Sequence, residues 1–291
     1  MKIDKIFHII LFAIIATLTI LIVIGFSEYR NSQTKEKLAE DFLLKFQALN
    51  PEHALQETTQ QELVSPDAVH IPILTYHSIR PHYERETSLI DYFDIIPELL
   101  ETQLKYFKDH DYTIISFGDM VAGIKGKKLL PKKPIVLTFD DGWENQYLYA
   151  FPILQKYHAT ATFFLWTNAI DHQAFLTWKE VKVMQDAGMT IGAHTKSHPY
   201  LFQIKDANLL RDEILGSKQI LETQLGVPIQ FFAYPFGYYN DQITDIVKAS
   251  GLEAARSSKR GTYHTQQDLF HLRSIEVSDD FFTRDIQKIE K

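Results

Sequence analysis

With 45% apolar and 23% charged residues, the 291-residue chain has an ordinary globular composition, which excludes wholesale disorder and fibrous repeats. It contains no cysteine, so a disulfide scaffold, a thiolate-held zinc, an iron–sulfur cluster and a thiol nucleophile are all excluded, and any metal must be held by His, Asp or Glu. A formal net charge of −7 argues against non-specific nucleic-acid binding, which needs basic clusters to displace counterions.

A short tail, residues 1–5, precedes an apolar run from Ile6 to Phe26 that is broken only by His8, Thr17 and Thr19. A run of that length can cross the hydrocarbon of a bilayer and exceeds the apolar stretch of a cleaved signal peptide. Gly25-Phe26-Ser27-Glu28 is also a poor cleavage site, so residues 6–26 are expected to form an uncleaved transmembrane anchor. Lys2 and Lys5 precede the span, while Arg30, Lys35, Lys37 and Lys45 follow it. This charge count does not favour a cytoplasmic N-terminus, although long domains are translocated largely regardless of it. Residues 27–70 are rich in Gln and Glu and read as a stalk. Leu38, Phe42, Leu43 and Phe46 fall at helical spacing within it.

From Ile71 onward strand and helix signals alternate. Strands are expected over Ile71–Tyr76, Thr113–Ile115, Pro134–Phe139, Thr160–Leu165, Met189–Ala193, Phe231–Tyr234 and Leu272–Val277. Helices are expected over Pro97–His110, Gln146–Tyr157, Trp178–Ala187 (capped by Thr177 and closed by Gly188), Ala207–Leu225 (stopped by Gly226 and Pro228) and Gln242–Ser250. Such alternation implies a parallel sheet, and this number of units favours a closed or nearly closed α/β barrel.

The strand ends carry the chemistry. Ile71–Tyr76 stops at His77, Pro134–Phe139 at Asp140-Asp141-Gly142, Met189–Ala193 at His194, and Phe231–Tyr234 at Pro235-Phe236-Gly237. In a parallel barrel these ends open on one face, so distant segments bring two carboxylates and three imidazoles together. Each piece is ordinary by itself. Among 12 histidines one pair at the His194–His198 spacing is within chance, Asp-Asp-Gly is also a common turn, and a lone His77 could be a satisfied structural residue. Two adjacent carboxylates at one strand end, however, call for a compensating cation. Asp141, His194 and His198 would make a three-ligand metal site with open positions, the pattern of a hydrolytic rather than a structural centre.

Thr138-Phe139-Asp140-Asp141-Gly142 and His194-Thr195-Lys196-Ser197-His198-Pro199 resemble the first two motifs of the NodB-homology polysaccharide deacetylases, carbohydrate esterase family 4. The resemblance spans about Ile71 to Val277 and implies a distorted (β/α)7-type barrel over residues 71–291. It also implies Asp140 as catalytic base and a divalent metal, foremost Zn²⁺, on Asp141, His194 and His198. The family's third motif, Arg-x-Pro-Tyr, is here Ala233-Tyr234-Pro235-Phe236, which lacks the arginine that steadies the base. The family's late motif with its acid histidine is replaced by Leu272-Arg273-Ser274-Ile275. Both departures are similar to the subgroup that deacetylates poly-N-acetylglucosamine, in which the acid histidine comes from an early Tyr-His strand end, matched by Tyr76-His77. His271 is the competing candidate.

The resemblance implies a metal-activated water attacking an N-acetyl amide, with Asp140 taking its proton and His77 protonating the departing amine. The backbone N–H of Phe236 would hold the oxyanion, and Tyr234, Pro235 and Arg273 would complete the substrate side. Trp143, Trp166, Tyr238 and Tyr239 could present flat faces to sugar rings or pack the rim. The expected partners are an N-acetylated polysaccharide and, through the N-terminal helix, the outer face of a cell membrane; neither nucleic acid nor a protein partner is expected. Two other readings remain open: a peptidoglycan or O-acetyl-glycan deacetylase using the same site, and an inactive membrane-tethered glycan-binding protein. Retention of both Asp140 and Asp141 speaks against the second.

Overall fold

A computed structural model of the chain describes residues 67–81, 93–278 and Ile289. The span expected over residues 6–26 and almost all of the stalk lie outside the described residues. Among the described residues no helix is long and apolar enough to cross a membrane.

Seven parallel strands make the barrel: β1 (Ile73–Tyr76), β2 (Pro134–Asp141), β3 (Thr162–Leu165), β4 (Thr190–Ala193), β5 (Phe231–Ala233), β6 (Ala254–Arg260) and β7 (Leu272–Glu276). Each pairs with the next in chain order, and β7 pairs back onto β1, closing the ring. Helices α1 (Pro97–Asp109), α2 (Phe117–Ile124), α3 (Phe151–Lys156), α4 (Trp178–Asp186), α5 (Ala207–Arg211), α6 (Ser217–Leu225) and α7 (Asp241–Ala249) occupy the connections. Their ends are chemically marked. Thr177 and Glu180 form a reciprocal capping box at α4, and Asn240 Oδ1 accepts from the Ile243 N–H at α7. Gly226 closes α6 in the left-handed conformation (φ 69°).

The expected order of elements holds, with four differences. The strand at Thr113–Ile114 pairs with the beginning of β2 but stands outside the ring. Its place in the ring is taken by β6, whose sequence Ala-Ala-Arg-Ser-Ser-Lys-Arg shows no apolar run. Helix α2 was also not expected. Finally, two expected helices contain wider π-helical turns, at Gln146–Ala150 before α3 and at Asp212–Gly216 between α5 and α6.

Alternate residues of the strands point inward and form layers. At the amino-terminal end Ile73, Val136, Phe231, Ala254 and Leu272 make an apolar floor, plugged from below by Phe117, Met120, Val121 and Ile124 of α2. Hydroxyls fill the middle: Thr75 and Thr138 lie 3.2 Å apart through their Oγ1 atoms, and Ser274 Oγ donates to the Ser257 carbonyl. The top layer is polar and ionisable, with His77, Asp140, Arg256 and Glu276. Polarity therefore rises along the lumen toward the carboxyl ends of the strands.

The floor has a titratable latch. Val69–His70 pairs antiparallel with Tyr263–His264, and His264 Nε2–H donates to the Ile71 carbonyl at 3.0 Å. Burial pulls the His264 pKa down to about 4, against an opposing contribution from that hydrogen bond. The unfolded chain takes up this proton near the ordinary value of 6.5, so between pH 6.5 and 4 it binds more protons than the native state, and stability falls as the pH falls. At about 1.4 kcal/mol per pH unit the loss over this window is about 3 kcal/mol. Urea unfolding at pH 7 and pH 5 should show a smaller pH-dependent loss for His264→Gln than for the unmodified chain. Equal losses would remove His264 as the source.

Candidate active site at the carboxyl ends of the strands

β2 extends through both aspartates, and the chain then turns sharply at Asp141 (φ 74°) and Gly142 (φ 77°). Inward alternation sends Asp140 into the lumen and leaves Asp141 on the rim. Asp141 Oδ1 lies 3.4 Å from His198 Nε2 and 3.7 Å from His194 Nε2, and the two imidazole nitrogens are 3.2 Å apart. Donor atoms of a tetrahedral centre with bonds of about 2.1 Å stand about 3.4 Å apart, so the three fit one face of a metal site. Their other atoms are engaged as such a site requires. His194 Nδ1–H donates to the Ala233 carbonyl at 2.7 Å, which leaves Nε2 as the free acceptor, and Trp143 Nε1–H donates to Asp141 Oδ2 at 3.1 Å. Burial, then the neighbouring His194 ring, pulls His198 down to a pKa of about 4, so it is in its neutral, metal-binding form at neutral pH.

Below this trio the Asp140 carboxylate pairs with the Arg256 guanidinium through Oδ2, and both side chains are almost fully buried. Burial raises the Asp140 pKa, but Arg256, His194 and His77 more than offset that and hold it below the ordinary aspartate value. Asp140 is thus an anion at neutral pH, and its second oxygen, Oδ1, is buried without a hydrogen-bond partner. Arg256 also donates to Ser274 Oγ and lies 5.6 Å over the Phe164 ring. Glu276 links the network to His77, with Oε1 4.0 Å from Arg256 and Oε2 3.7 Å from His77 Nδ1. The carboxylates of Asp140 and Glu276 flank one guanidinium while Asp141 faces the two imidazoles, so the three carboxylates exceed the guanidinium by two charges that a divalent cation would balance.

Backbone strain gathers at this face. Of the eight non-glycine residues with positive φ among the described residues, Asp141, Thr195, His198 and Phe236 belong to the site. Both π-helical turns support it. From the first, buried Gln146 Nε2 donates to the His77 and Asp140 carbonyls, at 2.7 and 2.5 Å, and so clamps two strand ends together. From the second, Glu213 accepts from the Lys196 and Ser197 N–H groups and from Ser197 Oγ, bracing the loop between the two histidines.

A cavity of about 870 Å³ collects His77, Asp140, Asp141, Trp143, His194, His198, Tyr234 and Phe236. Three expectations need correction. Arg273 does not line it: on β7 the inward residues are Leu272, Ser274 and Glu276, so Arg273 points outward and packs against Gly261. Trp166 is turned into packing, edge-on to Phe175 at 5.1 Å and 6.0 Å from the His198 ring, and is not on the cavity wall. Pro235 is buried behind the turn it shapes. Tyr234 reaches the wall, but its hydroxyl donates to the Phe270 carbonyl at 3.1 Å. His271 lies outside the cavity, stacked on Tyr239 at 4.4 Å with Nε2 3.1 Å from Thr244 Oγ1.

The arginine absent from the Tyr234–Phe236 loop is supplied from β6. No motif announced Arg256, because it lies in a polar strand that the apolar pattern misses. Glu276 carried a usable signal, since it ends a strand on the inward register just as His77 and Asp140 do. Gln146 and Glu213 carried none.

The family profile described as Polysaccharide deacetylase matches residues 127–255. The chain is similar to the solved Streptococcus pyogenes deacetylase PplD in complex with acetate, at 31% identity and a TM-score of 0.72, covering 77% of this chain and 99% of that one. Among curated proteins it is 26% identical over 208 residues to YxkH of Bacillus subtilis (strain 168), covering 72% of this chain and 71% of that protein. It is also 25% identical over 237 residues to a Staphylococcus aureus poly-beta-1,6-N-acetyl-D-glucosamine N-deacetylase, covering 74% and 81% respectively. The chain belongs to the polysaccharide deacetylase family.

Two outcomes follow from the geometry. His194→Ala or His198→Ala should lose stoichiometric zinc by elemental analysis while the far-ultraviolet spectrum of the barrel is kept; a retained ion would refute the ligand set. Arg256→Gln should keep the metal yet lower kcat by about 10²-fold, because Asp140, the base that the family resemblance implies, loses its orientation. In the Asp140→Asn background the same change should cost far less, since the two act as one unit. Additive losses in steady-state kinetics would separate the role of Arg256 from that of Asp140.

Proposed function

We propose that the chain hydrolyses N-acetyl groups from N-acetylglucosamine residues of an extracellular polysaccharide. The observation that carries this reading is the division of labour between neighbouring carboxylates: Asp140 is tied to Arg256 in the lumen, while Asp141 faces His194 and His198 on the rim. A bare binding module needs neither a buried, charge-stabilised base nor a three-ligand cluster. The name of the Staphylococcus aureus relative supports the glycan, and the acetate held by PplD supports the leaving fragment.

When bound on Asp141, His194 and His198, a divalent cation, zinc foremost, supplies a Lewis acid that polarises the amide carbonyl and acidifies a water. Asp140 Oδ1, free of hydrogen bonds, takes the proton of the attacking water, while Oδ2 stays on Arg256. His77, whose Nδ1 faces Glu276 Oε2 at 3.7 Å, presents its other nitrogen to the departing amine and protonates it as the carbon–nitrogen bond breaks. The Phe236 N–H, on a left-handed residue at the cavity wall, donates to the developing oxyanion. Acetate and a free amino sugar leave.

Peptidoglycan and O-acetylated glycans remain as second substrates for the same chemistry. With Arg256 present, the unusual third motif no longer argues against peptidoglycan; the Staphylococcus aureus relative is what favours the biofilm-type polymer. The outer membrane face as location rests on the apolar run of residues 6–26 and on the substrate, and His77 rather than His271 as acid on the cavity wall it shares with Asp140.

The full chain with zinc should release acetate from N-acetylglucosamine oligomers. His77→Ala should lower kcat on the amide by at least about 10²-fold with metal content unchanged, and His271→Ala by less than about fivefold. An activated aryl acetate, whose leaving group needs no proton, should recover much of the His77→Ala loss and none of the Asp140→Asn loss. Equal damage to His77→Ala on both substrates would remove it as the acid.

A further inference from the structure

A patch of aromatic rings extends the cleft away from the metal-type trio. Among the described residues nine large apolar side chains are exposed, and four of them form one cluster: Tyr200, Phe202, Phe236 and Tyr238, between 41% and 58% exposed. Tyr200 is the hub. It stacks on Phe236 with 3.9 Å between centroids and meets Phe202 edge-on at 5.8 Å and Tyr238 at 6.5 Å. Phe236 lies 4.6 Å from the His198 ring, and Tyr200, Phe236 and Tyr238 line the same cavity as Asp140. The patch is built by the loop that follows His198 and by the turn at Pro235–Gly237. That turn is held tightly, because a Cβ at Gly237 (φ 73°) would lie 2.5 Å from the Ser258 backbone. Single exposed rings need no explanation, but four in mutual contact on the rim of a cleft do.

We infer that this patch binds the sugar units that neighbour the reacting residue of the polysaccharide; the inference rests on the deacetylase reading above. A pyranose presents an apolar C–H face bordered by hydroxyls, and a tyrosine presents a flat apolar face with one polar tip, so the two are complementary. The cavity's volume of about 870 Å³ lies toward the upper end of the range of sites that enclose whole small ligands, room for more than one acetylated sugar. A membrane-docking patch would instead be flanked by Lys and Arg. This one has Lys205 beside Phe202 but opens onto a cavity where Asp94, Asp140, Asp141, Glu144 and Glu276 outnumber Arg80, which suits a neutral glycan better than an anionic bilayer.

The test is calorimetric titration of the zinc-loaded full chain carrying Asp140→Asn, which binds without turnover, with β-1,6-linked N-acetylglucosamine oligomers of increasing length. Affinity should rise from the dimer to the hexamer. Adding Tyr200→Ala or Tyr238→Ala should weaken hexamer binding about 3- to 10-fold and dimer binding less, with melting temperature and metal content retained. Leu129→Ala, at an exposed position outside the cleft, should leave the series unchanged. Length-independent affinity, or equal loss at every length, overturns the inference. So does binding to phosphatidylglycerol vesicles that the tyrosine variants abolish while hexamer binding persists. Failure of the parent reading is seen separately, as absence of acetate release from the hexamer by the unmodified chain; the titration decides the patch either way.

Discussion

A carboxylate and a guanidinium face each other in the lumen of the barrel, Asp140 from β2 and Arg256 from β6, both almost completely withdrawn from water. Neither is tolerable there alone, because an unpaired buried charge costs several kcal/mol. Together they set the character of the site. The pair fixes which aspartate oxygen is spoken for and which is free, and it keeps Asp140 ionised in surroundings that would otherwise protonate it. It also draws in Glu276, which brings His77 into the same network. Asp140 and His77, the proposed base and acid, are therefore linked through one arginine rather than positioned independently.

This arrangement depends on the layered lumen beneath it. An apolar floor sealed by α2 and a middle layer of hydroxyls lie beneath the ion pair of Asp140 and Arg256. Left-handed conformations at Asp141, Thr195, His198 and Phe236 turn the loops inward at the carboxyl ends of the strands. Such conformations are costly for side chains with a Cβ and persist where the surroundings over-determine them. Here the bracing comes from Gln146 and Glu213, each delivered by a π-helical turn at the edge of a helix. The widened turns, which interrupt two otherwise regular helices, thus support the two loops that carry the chemistry.

How much was readable in advance differs by residue. Asp140, Asp141, His77 and His194 were legible because each sits at the end of an apolar run, and parallel topology sends all such ends to one face; His198 was legible from its spacing to His194. Arg273 misled for a related reason: chain position alone does not say which face of a strand a residue occupies, and it is one step out of the inward register of β7. Trp166 and Pro235 sit at the right strand ends, yet local packing turned them away from the cavity. The aromatic patch was half visible, through Tyr238, while Tyr200 and Phe202 gave no sign that their loop would fold against the turn at Phe236.

By itself, then, the sequence determined the alternation of strands and helices, the identity of the metal-type trio and the carboxylate beside it, because these follow from local periodicity and from residue chemistry at fixed spacing. Only the tertiary structure decided that β6 enters the ring, that Arg256 supplies a guanidinium to Asp140, that Glu276 comes to face His77, and that Gln146 and Glu213 brace the strand ends and the loop between His194 and His198. Those contacts join residues far apart in the chain across a closed lumen. Their energies come from burial and from partners that exist only once the barrel has closed, so no local pattern encodes them.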